Sequence, residues 1–293
     1  MTKIINGKEI SQKLKDDLKI EIEEIKNTFK RVPGLAVVQV GDVAASSVYV
    51  KAKTKAAKEV GIIVFDHHLD TSTTQSDLLK LINDLNKNED VNGILVQLPL
   101  PEDIDEQIIL DSIDPSKDAD GFHPLNVGKL SISKYSNESL LIPCTPLGCL
   151  IMLKNEGIDL SGKNAVIIGR SNIVGKPMAQ LLIKESCTVT VAHSKSIDIE
   201  NICRNADILV VAIGKPEVVK SNWIKDGAII IDVGINRIND VENNKTKLVG
   251  DVMFDEVKNK VSAITPVPGG VGPMTIACLL KNTKTAFLNQ NKN

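Results

Sequence analysis

Ala165-Val-Ile-Ile168, followed by Gly169-Arg-Ser-Asn-Ile-Val-Gly175-Lys-Pro177, is the stretch on which the fold turns. The short apolar, largely β-branched run reads as a strand buried on both faces. Two glycines then bracket a turn, and Lys176-Pro177 opens a helix. A glycine turn after a parallel strand lets the backbone approach a phosphate. The helix N-terminus beyond it offers free N–H groups and the positive end of its dipole. The spacing is Gly-x5-Gly, not the Gly-x-Gly-x-x-Gly of the common dinucleotide fingerprint. Two readings fit: a pyrophosphate cradle, or a tight strand-to-helix connection with no ligand. The strand–turn–helix context favours the first.

The next strand, Thr188–Ala192, runs into His193-Ser194-Lys195-Ser196, where an NAD site wants an acidic residue for the ribose. No carboxylate stands there. With Arg170 in the preceding turn, Lys195 makes a cationic, hydroxyl-rich corner suited to a 2′-phosphate, so the pattern predicts NADP over NAD. On spacing alone both cations also read as solvated surface charges. A helix is expected over Lys176–Glu185, and further strands at Ile208–Ala212 and Ala228–Asp232.

Strand and helix patterns alternate upstream as well, which predicts α/β layering around parallel sheets. Ile10, Leu14, Leu18, Ile22, Ile25 and Phe29 recur at helical steps, and Gly34–Val40 is a continuous apolar strand. A helix over 44–59 and a strand over 61–65 follow. Thr74-Gln-Ser-Asp77 can cap a helix carrying Leu78, Leu81, Ile82 and Leu85, before a strand at Gly93–Leu98. From Asp114 to Glu138 the periodicity fades, so a loop or linker and the domain boundary are placed there. Thr145 is expected to cap a helix over 145–156 with Pro146 in its first position. An amphipathic helix from Pro273 to about Leu288 ends the pattern.

At roughly 150 residues per domain, 293 residues suggest about two domains. The chain is 42% hydrophobic and 25% charged with a net charge of −2, an ordinary globular balance with no global pull toward nucleic acid. Five cysteines without a Cys-x-x-Cys pair argue against a disulfide framework or zinc ribbon and fit a reducing, cytoplasmic setting. They read as small buried hydrophobes. His67, His68, His123 and His193 show no ligand spacing, so no metal site is expected. Apolar runs such as Ala228–Ile231 are too short to span a bilayer, and Met1–Gly7 lacks the apolar core of a secretion signal.

A second set of polar residues lies in the first half. Tyr49 and Lys53, four apart on the expected helix, share a face among the small residues Ala44, Ala45, Ala52 and Ala56. Taken alone, they also fit a half-buried tyrosine among solvated lysines. Gln97 interrupts the apolar strand Gly93-Ile-Leu-Val-Gln-Leu-Pro99 near its carboxyl end, where parallel sheets place their sites and a buried amide needs partners. Lys117-Asp-Ala-Asp120-Gly121 adds carboxylates in the next loop, although Asp-Gly is equally a turn pair. Thr265-Pro-Val-Pro-Gly-Gly-Val-Gly-Pro-Met-Thr275 is too rich in proline and glycine for regular structure. It reads as a rigid, backbone-lined wall beside a flat ligand, with a structural crossover as the alternative.

Together, Val40–Lys53, Gly93–Pro101, Lys117–Pro124, Gly169–Pro177, Ile231–Asn236 and Pro266–Thr275 resemble the bifunctional methylenetetrahydrofolate dehydrogenase/methenyltetrahydrofolate cyclohydrolase family, in the family's order. The likeness runs from the first helix to about residue 288. It implies a cytoplasmic homodimer of one-carbon metabolism, feeding purine biosynthesis, with tetrahydrofolate derivatives as substrates and NADP as cofactor. It further implies a folate-binding catalytic domain over 1–138, a Rossmann-like NADP-binding domain over 139–272, a cleft between them, and a helix over 273–293 returning to the first domain. By motif, Lys53 matches the catalytic lysine, Gln97 the glutamine that positions it, Tyr49 the ring that stacks on the aminobenzoate, and Asp120 the carboxylate that holds the pterin. Pro268, Gly269 and Gly272 match the wall near the reacting carbon. Arg170 and Ser194 match contacts to the 2′-phosphate, and Gly169, Ser171, Ile173, Gly175, His193, Gly214 and Ile235 complete the implied cofactor site. Nothing in the resemblance calls for a metal, a nucleic acid or a membrane.

Overall fold

The computed structural model describes residues 2–42, 44–132, 138–240 and 245–292, and at 44–46, 240 and 245 the backbone alone. In chain order the elements are β1 (Lys3–Ile4), α1 (Gly7–Phe29), β2 (Gly34–Val40), α2 (Ala44–Val60), β3 (Ile63–Leu69), α3 (Gln75–Lys87), β4 (Gly93–Val96), α4 (Glu106–Ser112), α5 (Pro124–Ser131) and α6 (Cys144–Asn155). The chain continues with β5 (Asn164–Ile168), α7 (Gly175–Lys184), β6 (Thr188–Ala192), α8 (Ile199–Arg204), β7 (Ile208–Val211), β8 (Ile229–Asp232), β9 (Asn236–Asp240), β10 (Lys245–Val249), α9 (Phe254–Val257), β11 (Ala263–Ile264) and α10 (Val271–Gln290). Among the described residues no helix is long and apolar enough to cross a membrane.

The chain forms two compact units, residues 12–144 with 276–293, and residues 1–11 with 145–275. The first is built on a parallel sheet in the order β3-β2-β4, in which Val37 stands opposite both Asp66 and Leu95. Central β2 is buried along its whole length, as a strand with both faces covered must be. Ala36, Val38 and Val40 pack with Leu78, Ile82 and Leu85 of α3 and with Ile109 and Leu110 of α4. The expected cap is present: Thr74 Oγ1 accepts from the Asp77 amide at 3.2 Å, and the Asp77 carboxylate accepts from the Thr74 amide at 3.3 Å. Phe29 of α1 meets Phe287 edge-on with centroids 5.4 Å apart.

Three expectations shift in this unit. The strand expected at 61–65 runs instead over Ile63–Leu69, because its pairing with β2 continues through Leu69 and an exposed edge strand tolerates Asp66, His67 and His68. The stretch expected to be a linker contains α5, started by Pro124 in its first turn and by the His123 side chain accepting from the Leu125 amide; residues 133–137 of it lie outside the described residues. The expected amphipathic terminal helix is buried at Ala277–Leu280 and again at Asn282, Thr283 and Thr285–Phe287. Four successive buried positions cover a full turn, so no polar stripe survives there.

The second unit is a six-stranded parallel sheet in the order β1-β11-β8-β7-β5-β6, with β9 and β10 as a separate antiparallel pair. Its core joins Val166 and Ile168 of β5 to Leu209 and Val211 of β7, Ile230 of β8 and Ile264 of β11. Strand β1 pairs Lys3 with Ala263 and Ile4 with Ile264, so the first eleven residues group with this sheet and not with the residues that follow them. Helix α6 begins at Cys144, one residue early. Thr145 is therefore inside the first turn, and its hydroxyl shares a 3.0 Å hydrogen bond with that of Thr275 in place of capping.

Candidate active site

In the first unit Lys53 is carried by α2, whose buried face draws it in until it is only 9% exposed. Its Nζ donates to Gln97 Oε1 at 3.0 Å. Gln97 follows directly on β4. Its backbone N–H still donates to Val38 O, while its Nε2 donates to Leu98 O at 2.6 Å, which turns Oε1 toward the lysine. The strand expected to run to Leu98 ends at Val96, so Gln97 stands just beyond it and does not interrupt it, and its amide finds a partner 44 residues away. Tyr49 lies one helical turn before Lys53, and burial raises its phenol above the usual value even though the residue is 37% exposed. The side chains of Ala44 and Ala45 lie outside the described residues.

Asp120 completes this group. Burial pushes its carboxyl up to about 6, the Lys53 charge pulls it down, and Asp118 raises it again. Among the described residues its carboxylate accepts no hydrogen bond, so it is available to a ligand. Its neighbour Asp118 shapes the loop: the buried carboxylate accepts from the amides of Gly121, Phe122 and His123 and from Asn126 Nδ2. Asn282 of α10 braces the same loop, donating to Ala119 O at 2.9 Å and Ile142 O at 2.7 Å. Sequence reading treats both aspartates as carboxylates of one turn and passes over Asn282, which no local pattern marks. Cys144 is buried beside the group, its thiol raised by that burial, then by Asp120 and Cys278.

In the second unit the remaining candidates gather at the carboxyl edge of the parallel sheet. Ile168 and Ala192 are register partners, and the Gly169 amide donates to Ala192 O at 2.9 Å, so the Gly169–Gly175 turn and the His193–Ser196 turn leave adjacent strands side by side. Gly169 has φ +123°, and a Cβ there would lie 2.3 Å from Ala212 O; one on Gly175 would lie 2.1 Å from Gly169 O. Ser171 Oγ accepts from the amides of Val174 (3.1 Å) and Gly175 (3.4 Å), fixing the start of α7. Arg170, Ser171 and Ile173 are exposed, and among the described residues the Arg170 guanidinium has no ion-pair or hydrogen-bond partner. His193 is half-buried, its Nδ1 accepting from the Lys195 amide, and Ser194 is exposed.

Gly214 follows β7, and Ile235 follows β8 with 44% of its surface exposed. A Cβ on Gly272 would touch Ile235 Cδ1 at 3.6 Å, which places the end of the Pro-Gly segment beside that residue. The segment is anchored where Gly269 O accepts from the Lys8 amide at 2.9 Å. Its Val267–Pro268 bond is cis, as is Leu98–Pro99 in the first unit. Bare backbone at the turn, a helix N-terminus and an unpaired guanidinium fit a phosphorylated dinucleotide. Among the described residues, no group of three or more His, Cys, Asp or Glu side chains could hold a metal ion.

Comparison with known proteins agrees with both halves. Residues 5–120 match the family model for the catalytic domain of tetrahydrofolate dehydrogenase/cyclohydrolase, and residues 143–291 match the one for its NAD(P)-binding domain. The chain is 55% identical over 290 residues to the bifunctional protein FolD of Acetivibrio thermocellus, covering 99% of this chain and 98% of that protein. It is similar to the crystal structure of the bifunctional FolD dehydrogenase/cyclohydrolase of Campylobacter jejuni, with a TM-score of 0.93 at 50% identity, over 99% of this chain and 100% of that one. The Trypanosoma brucei enzyme, solved with NADP and an inhibitor, gives a TM-score of 0.94 at 39% identity over 100% of this chain and 99% of that one. The chain belongs to the tetrahydrofolate dehydrogenase/cyclohydrolase family.

Proposed function

We propose that the chain oxidises 5,10-methylenetetrahydrofolate to the 5,10-methenyl cation with NADP and hydrolyses that cation to 10-formyltetrahydrofolate, with Lys53 as the base of the second step. The observation that carries the assignment of roles is the buried Lys53 Nζ held 3.0 Å from Gln97 Oε1, with the open Asp120 carboxylate beside it. Asp120 supplies an acceptor for the N–H donors of the pterin, and the half-exposed Tyr49 ring offers a face for the aminobenzoate. Gly169, Arg170, Ser171, Ile173 and Gly175, with His193, Ser194, Gly214 and Ile235, hold the dinucleotide. Pro268, Gly269 and Gly272 form the wall. The working enzyme is read as a cytoplasmic homodimer, a state that analytical ultracentrifugation checks.

Bound NADP supplies the hydride acceptor, at its nicotinamide C4. As hydride leaves the methylene carbon, the lone pairs of the two flanking nitrogens fill the vacancy. No proton passes to the protein, so its residues serve this step by orientation alone. Hydrolysis differs. Water adds to the methenyl carbon and gives up a proton, for which Lys53 is the acceptor. The bond from carbon to N5 then breaks as N5 takes that proton from Lys53 and the added hydroxyl loses its own, leaving the formyl group on N10 and one proton released overall. Gln97 keeps Nζ aimed during both transfers.

A two-part spectrophotometric assay tests the reading. Methylenetetrahydrofolate with NADP should yield reduced cofactor, and methenyltetrahydrofolate alone should decay faster with the enzyme than without it. Reduction without accelerated hydrolysis would leave only a dehydrogenase. Neither activity would overturn the assignment.

A further inference from the structure

The fold buries two carboxylates that the chemistry above does not use, and both stand behind the segments assigned to the dinucleotide. Asp251, fully buried just after β10, accepts four hydrogen bonds. Its Oδ2 takes the amides of Ile213 (2.7 Å) and Gly214 (3.0 Å), and its Oδ1 takes the Lys215 amide (2.9 Å) and Asn236 Nδ2 (2.8 Å). Three consecutive amides of the loop leaving β7 therefore converge on one side chain. Asn236, next to Ile235, is drawn to the same point.

Asp251 is itself seated on Asp232, the last residue of β8. Asp232 Oδ1 accepts from the amides of Asp251 and Gly234, each at 3.0 Å, and its Oδ2 accepts from Val252 N at 2.9 Å. The Asp232 amide in turn donates to Thr265 Oγ1 at 2.8 Å, at the head of the Pro-Gly segment. The two carboxylates lie against bare backbone. A Cβ on Gly250 would fall 1.8 Å from Asp232 Oδ2, and one on Gly234 would fall 2.2 Å from Asp251 Cγ. Ile213 packs against the core of this unit, whereas Gly214 and Lys215 are exposed and hold their place in the loop through these backbone bonds.

We propose that Asp251, seated on Asp232, is the positioning residue that pre-sets the Gly214 loop and the Ile235 turn for the dinucleotide. This rests on the cofactor reading given above. A loop ordered before binding does not lose its freedom on binding, so the carboxylate acts on affinity for the cofactor and not on the folate chemistry of Lys53. An asparagine at 251 keeps the size but turns an N–H₂ group toward backbone N–H donors.

The test is calorimetric titration of the full chain and its Asp251→Asn variant with NADP in the absence of folate. The expected result is a Kd and an NADP KM raised by about tenfold or more, while the folate KM and NADP-free cyclohydrolase turnover stay within about twofold. Wild-type protein that did not bind NADP would sink the cofactor reading itself. Equal Kd values for wild type and variant would overturn this proposal and leave that reading standing. A variant that lost cyclohydrolase turnover in step with NADP affinity would show a merely structural role. Should Asp251→Asn fail to fold, hydrogen exchange on NADP-free wild type decides: amides 213–215 are expected to be protected, and exchange at unprotected rates overturns the proposal. Asn236→Ala, which removes one of the four bonds, should speed exchange at Lys215 and weaken NADP binding.

Discussion

Asp118 and Asp120 stand two residues apart and divide the work of one loop: the first spends its carboxylate on three backbone amides and Asn126, and the second keeps its own free beside Lys53. The turn that an Asp-Gly pair suggests is therefore built by the earlier aspartate. That separation lets the later one face a ligand.

Replacing Asp118 by alanine strands the amides of Phe122 and His123, while Gly121 keeps Asp118 O and Asn126 keeps Pro115 O as acceptors. An unmet buried donor costs about 1–3 kcal/mol, so Asp118→Ala should lose roughly 3 kcal/mol or more of unfolding free energy. Chemical denaturation measures that loss, and the folate KM should rise in the protein that remains folded. Unchanged stability would show that the loop does not depend on this carboxylate.

Lys53→Met removes the proposed base while keeping much of the side chain's bulk. Cyclohydrolase turnover should fall by about a hundredfold or more, with part of the dehydrogenase rate retained. Following cofactor reduction and methenyl decay in the same cuvette separates the two. Full hydrolysis by this variant would remove Lys53 from the mechanism.

The Asp120 carboxyl, pushed up to about 6, makes folate binding sensitive to pH. The charged form, proposed above to accept from the pterin, is complete well above pH 6 and is lost as pH falls through it. The folate KM should therefore climb between about pH 7 and pH 5. Asp120→Asn should bind weakly at every pH and show no such climb. A wild-type KM flat over that range would exclude the role.

Arg170→Ala tests the choice of dinucleotide. Losing a guanidinium contact to a 2′-phosphate should weaken NADP by roughly tenfold to a hundredfold and leave NAD almost unchanged. Titration of the variant with each cofactor reads this directly. An equal loss for both would put Arg170 at another part of the ligand.

Long, self-contained signals were legible in the sequence. The apolar run Gly34–Val40 is a strand buried throughout, the Thr74–Asp77 cap forms, and the turn after Ile168 sits where strand meets helix. Features that depend on distant partners were not. Two residues cannot show a period, so β1 became visible only through its pairing with Ala263 and Ile264. Thr145 has the chemistry of a cap, but a helix that starts one residue earlier gives it a different partner. Asp251 and Asn282 sit in none of the segments quoted above, and Asp232 lies in Ile231–Asn236 without any spacing that gives it a role. Their roles lie in which backbone groups the fold brings to them.

All five cysteines are buried and none is in a disulfide, Cys144 and Cys278 lying in one compact unit and Cys149, Cys187 and Cys203 in the other. Burial pushes the Cys203 and Cys278 thiols up to about 12 and raises those of Cys144 and Cys187 as well, so the reactive thiolate is scarce while the chain is closed. An alkylating reagent must wait for a passing excursion that uncovers sulfur. Labelling kinetics resolved thiol by thiol would thus act as a pair of native stopwatches, timing how often each half of the enzyme breathes without any probe being engineered into it.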